Sequence, residues 1–410
     1  TIGNNWIRKS KSGLFEMYVE GEPFERGVIN GKLAKELVQK QEEAFAGQIS
    51  KMIPSSFYRS FLKYFIGVFN RNLEHSLTEE EKLEIYGVSQ VASPEFDYVG
   101  TPYQRMMNYH GAHDIGHALQ NLALVGCSSF ATWNDKSKDS ALLTGRNFDF
   151  YVGDKFAEDK LVLFCNPTTG YKFMYITWGG FTGVVSGMNM QGLSVTLNAS
   201  KSSIPTGSAT PVSLIGREIL QYAKNIEEAV KIAKSKKSFV AETFMITSAN
   251  DNKTVIIEKT PETTAVMYSN GNSIICTNHN QTYLLKKSAI NKEQMVTSAS
   301  VYRYNRIEQL LSRVEKNTPQ TTAAILRNQL GLNDNFIGYG NEKAVNQLIC
   351  HHSVIFDVKK RIAWISTSPF QLGQYIAYDL NTVFAMKGLT QNHEISDSTL
   401  TIAADTFLST

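Results

Sequence analysis

The chain has 410 residues, 42% of them hydrophobic, with 22 Phe, 18 Tyr and a formal net charge of +3. This composition suits a large core in two domains or one elaborated domain. The small net charge, without a Lys/Arg block, argues against nucleic acid or another polyanion as partner, and no run of about 18 apolar residues is present to span a membrane.

The sequence opens TIGNNW, without Met. We read that as a mature or trimmed start, and an exported periplasmic or cell-envelope protein is the expectation that follows. Thr1 is read as a boundary, because Ile-Gly-Asn-Asn-Trp does not read as the strand that an N-terminal threonine nucleophile would precede. Residues 24–50 carry an amphipathic helical pattern, and 55–75 a second one rich in aromatics. Phe57, Phe61, Tyr64, Phe65 and Phe69 keep helical spacing there, so the segment is either packed into its neighbours or turned to lipid. Thr78-Glu79-Glu80-Glu81 predicts a capping box opening a third helix to about Ala92. A fourth is expected from Tyr103 to Leu124.

After Gly126 the pattern changes. SSFATWN and ALLTGRNF flank the polar turn NDKSKD as a hairpin, and LVLFC, KFMYITW, FTGVVSGM and LSVTLNA follow as strands. Helices are expected at 212–223 and 225–237, then strands FMITSA, TVIIEKT, TAVMYS and SIICTN. Helices at about 296–316 and 320–330 and strands HSVIFDV and RIAWIST close the pattern. There are no repeats. The order implies an α+β layered domain behind a helical region of about 126 residues.

Two chemistries compete in HGAHDIGHALQNLALVGCSSF (110–130). His110, His113 and His117 fall at i, i+3 and i+7 and could present three imidazoles on one helix face. A zinc-protease helix would read HExxH, but here Asp114 stands in the glutamate position and Gly116 weakens the helix. A metal-dependent hydrolase on these histidines is one reading. His351-His352 sits beside a strand, where neighbours point opposite ways, and is read as structural. Cys127, Cys165, Cys276 and Cys350 form no CxxC pair and are too few for a disulfide framework. Cys127 alone would read as a buried thiol. Arg146-Asn147-Phe148-Asp149 lies across the predicted hairpin, however, and Arg146 beside Cys127 would favour thiolate.

Gly126-Cys127, followed by Gly145-Arg146-Asn147-Phe148-Asp149, resembles the N-terminal-nucleophile cysteine hydrolases. The closest branch is the acyl-coenzyme A:6-aminopenicillanic acid acyltransferase family (peptidase family C45), with cholylglycine hydrolases, penicillin V acylases and acid ceramidases as more distant relatives. Gly187-Met188-Asn189-Met190-Gln191-Gly192-Leu193 is similar to that family's G-x-N-x-x-G-L turn, and runs into a strand ending Thr196-Leu197-Asn198. Cys276-Thr277-Asn278-His279 resembles its TNH segment. Ser300-Val301-Tyr302-Arg303-Tyr304-Asn305-Arg306 resembles its S-x-x-R-x-x-R helix start. The lead Pro23-Phe24-Glu25-Arg26-Gly27 with Gly31 also fits, so the likeness covers about residues 20–370.

The resemblance implies an αββα sandwich, two antiparallel sheets between helical layers. It implies a helical N-terminal segment 1–126, a catalytic domain 127–385 and a C-terminal extension 386–410. It further implies self-cleavage at Gly126–Cys127 and a thiol amidohydrolase or acyltransferase acting on a linear amide, such as an N-acyl amide, a bile-acid conjugate or a penicillin. In that reading Cys127 is the nucleophile and its new α-amine the base. Asn278 donates to the oxyanion with a backbone N–H or Asn198. Asp149 orients the amine, Arg146 tunes the thiol and Arg303 holds the charge network. An α-amine with a reference pKa of about 7.7–8.0 is a suitable base near neutral pH. No metal or organic cofactor is needed. The expected partner is a small acyl-amide substrate, with peripheral lipid contact through 55–75 as a further expectation. A non-catalytic lipid- or peptide-binding protein of the same fold is the third reading.

Overall fold

Strand formers dominate from residue 125 onward, and they pair into two sheets. The computed structural model describes all residues except 53–72, 119–124, 151–156, 204–208, 387, 389–393 and 410; for 46–52, 112–113, 115–118, 125 and 408–409 it describes the backbone alone. The larger sheet has nine strands, in the order β1 (Trp6–Lys9), β2 (Phe15–Gly21), β5 (Leu161–Pro167), β6 (Phe173–Thr177), β7 (Ser186–Asn189), β8 (Leu193–Ala199), β9 (Glu242–Ser248), β10 (Lys253–Lys259), β11 (Thr264–Tyr268). The smaller has six: β12 (Ser273–Cys276), β3 (Val125–Thr132), β4 (Leu143–Phe150), β13 (His352–Asp357), β14 (Ile362–Ser366), β15 (Tyr375–Asp379). The pairings are antiparallel except β2 with β5, which is parallel from Phe15↔Leu161 to Gly21↔Pro167.

The side-chain period of two explains the layering. In β5, Leu161, Leu163 and Cys165 face one apolar cluster while Val162 and Phe164 face another. A strand that is apolar on both faces must be covered on both. The first cluster packs the large sheet against α2 (Lys35–Met52), α3 (Glu79–Ser89), α4 (Pro102–Ala118), α5 (Val212–Tyr222) and α6 (Ile226–Ser235), through Val38, Ile85, Met106, Ile215 and Ala229. The second lies between the sheets, with Val162, Met174 and Ile256 meeting Ala131, Val354 and Ile365. A third packs the small sheet, through Phe130, Ile355 and Trp364, against Ile307 of α8 (Ser300–Ser312) and Leu326 of α9 (Pro319–Leu326). The result is the expected αββα sandwich.

α1 (Pro23–Leu33) crosses α3 at unusually close range. A Cβ on Gly27 would sit 2.1 Å from Glu84 O, and one on Gly87 2.6 Å from Phe24 O, so only glycine fits at both positions. The capping box of α3 forms as the sequence predicts, with Thr78 Oγ1 accepting from Glu81 N and Glu81 accepting from Thr78 N.

Several expectations change. The first 126 residues are not helical throughout. FEMYVEG alternates apolar with polar residues and forms β2, which binds the large sheet along its whole length. Residues 24–50 form two helices that break at Ala34. The stretch 296–316 is the end of α7 (Ala289–Thr297) and all of α8, with the break where Ser300 turns into the site. FTGVVSGM is loop until Ser186. β15 and α10 (Leu380–Ala385) were not anticipated. Part of 386–410 packs onto the small sheet, where Ile402 bridges Tyr375 and Leu400 O accepts from Trp364 Nε1. The aromatic segment 55–75 lies largely outside the described residues. No described helix is long and apolar enough to cross a membrane.

Candidate active site

β3 and β4 form the predicted hairpin, in the register Gly126↔Asp149, Cys127↔Phe148 and Ser129↔Arg146. Alternation then sorts the side chains. Cys127 and Arg146 point between the sheets, while Asp149, Asn147 and Ser128 point toward α8 and α9. Gly126 lies under Gln347, where a Cβ would come 2.6 Å from Gln347 Nε2, so the residue before the cysteine has no room for a side chain.

Three atoms of Cys127 are held. Its N–H donates to Asn278 Oδ1 at 2.9 Å. Its carbonyl accepts from Arg303 Nη1 at 2.7 Å. Arg146 Nη2 points at Sγ from 3.5 Å. Arg303 also reaches Ser128 Oγ at 2.9 Å and Asn278 Oδ1 at 2.8 Å. Asn278 Oδ1 thus faces two donors, and its Nδ2 donates to Ala199 O at 2.9 Å. Asn198 accepts from Ser129 Oγ at 2.7 Å and donates to Cys276 O at 3.2 Å. The six expected side chains therefore converge. In this continuous chain, though, Asn278 receives the Cys127 nitrogen rather than offering a free amide, and the Asn198 amide is also engaged.

The electrostatics follow from burial. Desolvation pushes the Cys127 thiol up from its ordinary range; Arg146 pulls it down most, Asp149 and Glu242 push it up, and Arg303 pulls it down. Asp149 is raised to about 7 by burial, against the downward pull of Arg303 and Arg146. A carboxyl group that titrates near neutral pH, opposite Gly126, can hold or release a proton at the strand backbone. Asp149 Oδ2 accepts from Gln347 Nε2 at 3.2 Å.

The sulfur side is apolar. Cys127 clusters with Phe45, Phe148, Phe150, Trp178, Phe181 and Val185. Trp178 and Phe181 stack with ring centroids 4.2 Å apart, and Arg146 lies 4.3 Å over the Phe148 ring.

His110 belongs to this wall. Its Nδ1–H donates to Met106 O at 2.7 Å, its Nε2 accepts from Thr182 N at 2.9 Å, and its ring stacks on Phe181. Burial lowers it to about 4. Both nitrogens are therefore committed within a neutral ring that pins the 178–182 loop. The side chains of His113 and His117 lie outside those described, and among the described residues no three His, Cys, Asp or Glu are grouped to hold a metal. All four cysteines are free and buried.

Sequence reasoning missed four supports. Ser300 Oγ accepts from Asn278 N at 2.7 Å and lies 2.8 Å from His279 Nδ1, joining the TNH segment to the start of α8. Gln347 covers Gly126 and Asp149. Ser186 and His352 stand behind Arg146. Only Ser300 had a sequence signal, as the first residue of S-x-x-R-x-x-R.

Residues 133–370 match the family described as acyl-coenzyme A:6-aminopenicillanic acid acyl-transferase, a range that includes Arg146, Asp149, Asn198, Asn278 and Arg303. An uncharacterized protein of Archaeoglobus fulgidus is 26% identical over 245 residues, 57% of this chain and 41% of that protein. Protein dcd1A of Dictyostelium discoideum is 21% identical over 235 residues, 53% of this chain and 51% of that protein. The chain thus spans about half or less of the length of these curated relatives. Among solved structures, a mutant conjugated bile acid hydrolase from Clostridium perfringens is 15% identical with TM-score 0.43, covering 62% of this chain and 92% of that one. An N-acylethanolamine-hydrolyzing acid amidase ortholog from Caenorhabditis elegans is 15% identical with TM-score 0.40, covering 57% and 93%. Penicillin V acylase from Agrobacterium tumefaciens is 12% identical with TM-score 0.40, covering 62% and 86%.

Proposed function

For a chain that belongs to the acyl-coenzyme A:6-aminopenicillanic acid acyl-transferase family, we propose a self-processing thiol amidohydrolase or acyltransferase. The observation that carries this reading is the threefold grip on Cys127, with its nitrogen on Asn278, its carbonyl on Arg303 and its sulfur against Arg146.

In the first reaction the Cys127 sulfur attacks the Gly126 carbonyl carbon. A C–S bond forms and the Gly126–Cys127 C–N bond breaks. The thiol proton goes to the departing nitrogen, and water then hydrolyses the thioester. The products are residues 1–126 and 127–410, the second with Cys127 as its N-terminal residue. The held nitrogen and carbonyl fix the geometry of this step, which is where orientation contributes most. Processing supplies an α-amine on the nucleophile itself, a base with a reference pKa of about 7.7–8.0. Asp149 lies on the opposite face from the sulfur, so its reach is to that amine.

In the second reaction the amine accepts the thiol proton as sulfur attacks the amide of a substrate. The leaving amine takes that proton, and water or an acceptor amine releases the acyl group. Asn278 and Asn198 carry the side-chain amides assigned to the oxyanion. Each must turn from a backbone carbonyl to substrate, and losing one such donor typically costs about 2.7–4 kcal/mol. The aromatic wall of Phe45, Phe148, Trp178 and Phe181 favours an apolar acyl group.

Intact mass of the purified protein beside Cys127→Ala tests the reading. Two fragments are expected for the parent and one full-length chain for the variant, with hydrolysis of a panel of N-acyl amides by the parent alone. A single full-length mass for an active parent overturns the processing step, and hydrolysis by Cys127→Ala overturns the nucleophile.

A further inference from the structure

Behind Arg146, away from the sulfur, lies a buried hydrogen-bonded line that neither reaction uses. Arg146 Nη1 donates to Ser186 Oγ at 2.5 Å. Ser186 Oγ is 2.8 Å from His352 Nε2, and His352 Nδ1 is 2.8 Å from His351 Nδ1. Ser186, His351 and His352 are all 0% exposed. Ser186 comes from β7 in the large sheet and His352 from β13, next to β4 in the small one, so the line crosses between the sheets.

The protons along it have one consistent direction. A guanidinium only donates. Ser186 Oγ accepts from it and, having a second lone pair as well as its proton, can meet either tautomer at His352 Nε2. That nitrogen also lies 3.5 Å from Arg146 Nη1, where an N–H would oppose another N–H. The His352 proton is therefore on Nδ1, donated to His351 Nδ1, and the His351 proton is on Nε2. Burial holds both rings well below the ordinary imidazole range, and the Arg146 and Lys160 cations act in the same direction.

We infer that Ser186 and His352 are positioning residues for Arg146, anchoring the guanidinium through neutral acceptors so that no carboxylate hydrogen-bonded to it offsets its charge at the Cys127 sulfur. The inference rests on Cys127 as the nucleophile proposed above. A carboxylate behind Arg146 would orient it equally well but cancel its field at the thiol. Among the described residues, the other titratable groups around this region are Asp149 on β4, Glu242 on β9, Cys276 on β12, Arg303 on α8, and Lys160 and Cys350 beside the histidine pair.

Two measurements test it. Nitrogen NMR of histidine-labelled protein, with His351 and His352 assigned by substitution, should show neutral rings, His352 protonated on Nδ1 and His351 on Nε2, at about pH 6. A proton on His352 Nε2, or a doubly protonated ring, overturns the inference. Second, Ser186→Ala and His352→Leu should move the acidic limb of the kcat/KM profile up by about one pH unit, a tenfold loss of thiolate below it. Ser186→Asp should move it further, while Ser186→Thr and His352→Gln, which keep the hydroxyl and an acceptor, should hold it near the parent position. A variant that matures too slowly for turnover to be followed gives the same reading from the pH dependence of its self-cleavage rate. A limb unmoved in both Ser186→Ala and His352→Leu overturns the inference. The NMR result does not depend on activity, so failure of the nucleophile assignment, seen as an active Cys127→Ala, stays distinct from failure of the line.

Discussion

Among the buried arginines of the described residues, two pairs have partners that differ in kind. On the helical side of the large sheet, Arg26 and Arg217 converge on Glu84 at 2.7 and 2.9 Å, and Arg26 also reaches Glu80 at 3.0 Å. At the site, Arg146 and Arg303 bond to a sulfur, hydroxyls, an amide oxygen and the carbonyls of Leu197 and Cys127. The first pair is neutralised by carboxylate and ties α1, α3 and α5 together. The second is anchored by neutral groups and keeps its charge for the thiol. Burial raises the Glu84 carboxyl, but Arg217 and Arg26 pull it further down, to about 2. Asp149, in the second region, keeps its upward shift because its burial outweighs the pull of Arg303 and Arg146. The lesson is that burial of an arginine says nothing by itself about its role; the charge of its partners does.

Substitutions can break or sharpen this contrast. The largest effect is expected from Glu84→Gln, which leaves the buried Arg217 guanidinium without its carboxylate and Arg26 with Glu80 alone. Chemical unfolding should show a loss of about 3–5 kcal/mol, and a loss near zero would collapse the distinction. Arg146→Met should do the reverse. Turnover should fall by about 10²-fold, the scale of a lost electrostatic contact, while the unfolding midpoint falls less than in Glu84→Gln.

A third test uses pH. Folded Asp149 holds its proton to about 7, whereas its ordinary value is 3.8. Its contribution to stability is fully present below about pH 4 and is lost as pH rises to about 7. In a Cys127→Ala background, Asp149→Asn should flatten the fall in unfolding midpoint across that window. An unchanged slope would mean that Asp149 is not the titrating group. The smallest effect is expected from Lys40→Ala, which removes an exposed 3.2 Å contact to Asp159. Its change should stay within about 1 kcal/mol, marking the floor against which the buried pairs are read.

Much of this was legible before any coordinates. Cys127, Arg146 and Asp149 lie within one hairpin, and a period of two with a single turn suffices to bring them together. The capping box of α3 and the strands β3 to β6 and β8 to β10 follow from local pattern, whereas β7 takes up only the end of the expected FTGVVSGM. Asn278 and Arg303 could be named only through motifs shared with a family, because their reach to Cys127 spans more than 150 residues of chain. Ser186, His352 and Gln347 carried no signal, since a serine in a strand, a histidine pair and a loop glutamine are ordinary in isolation. FEMYVEG carries the alternation of β2 but was not read as a strand, and its partner in β5 lies 146 positions on.

The sequence by itself determined the alternation that calls for a layered α+β domain, and its motifs, through a family resemblance, implied the sandwich. It also determined the short-range geometry that sets an arginine beside a cysteine. The tertiary structure alone decided what stands behind that arginine and which atom of Cys127 each distant side chain holds. Local pattern fixes which face a residue turns to, but only the stacking of two sheets chooses whether the group it meets there is a carboxylate or a neutral acceptor.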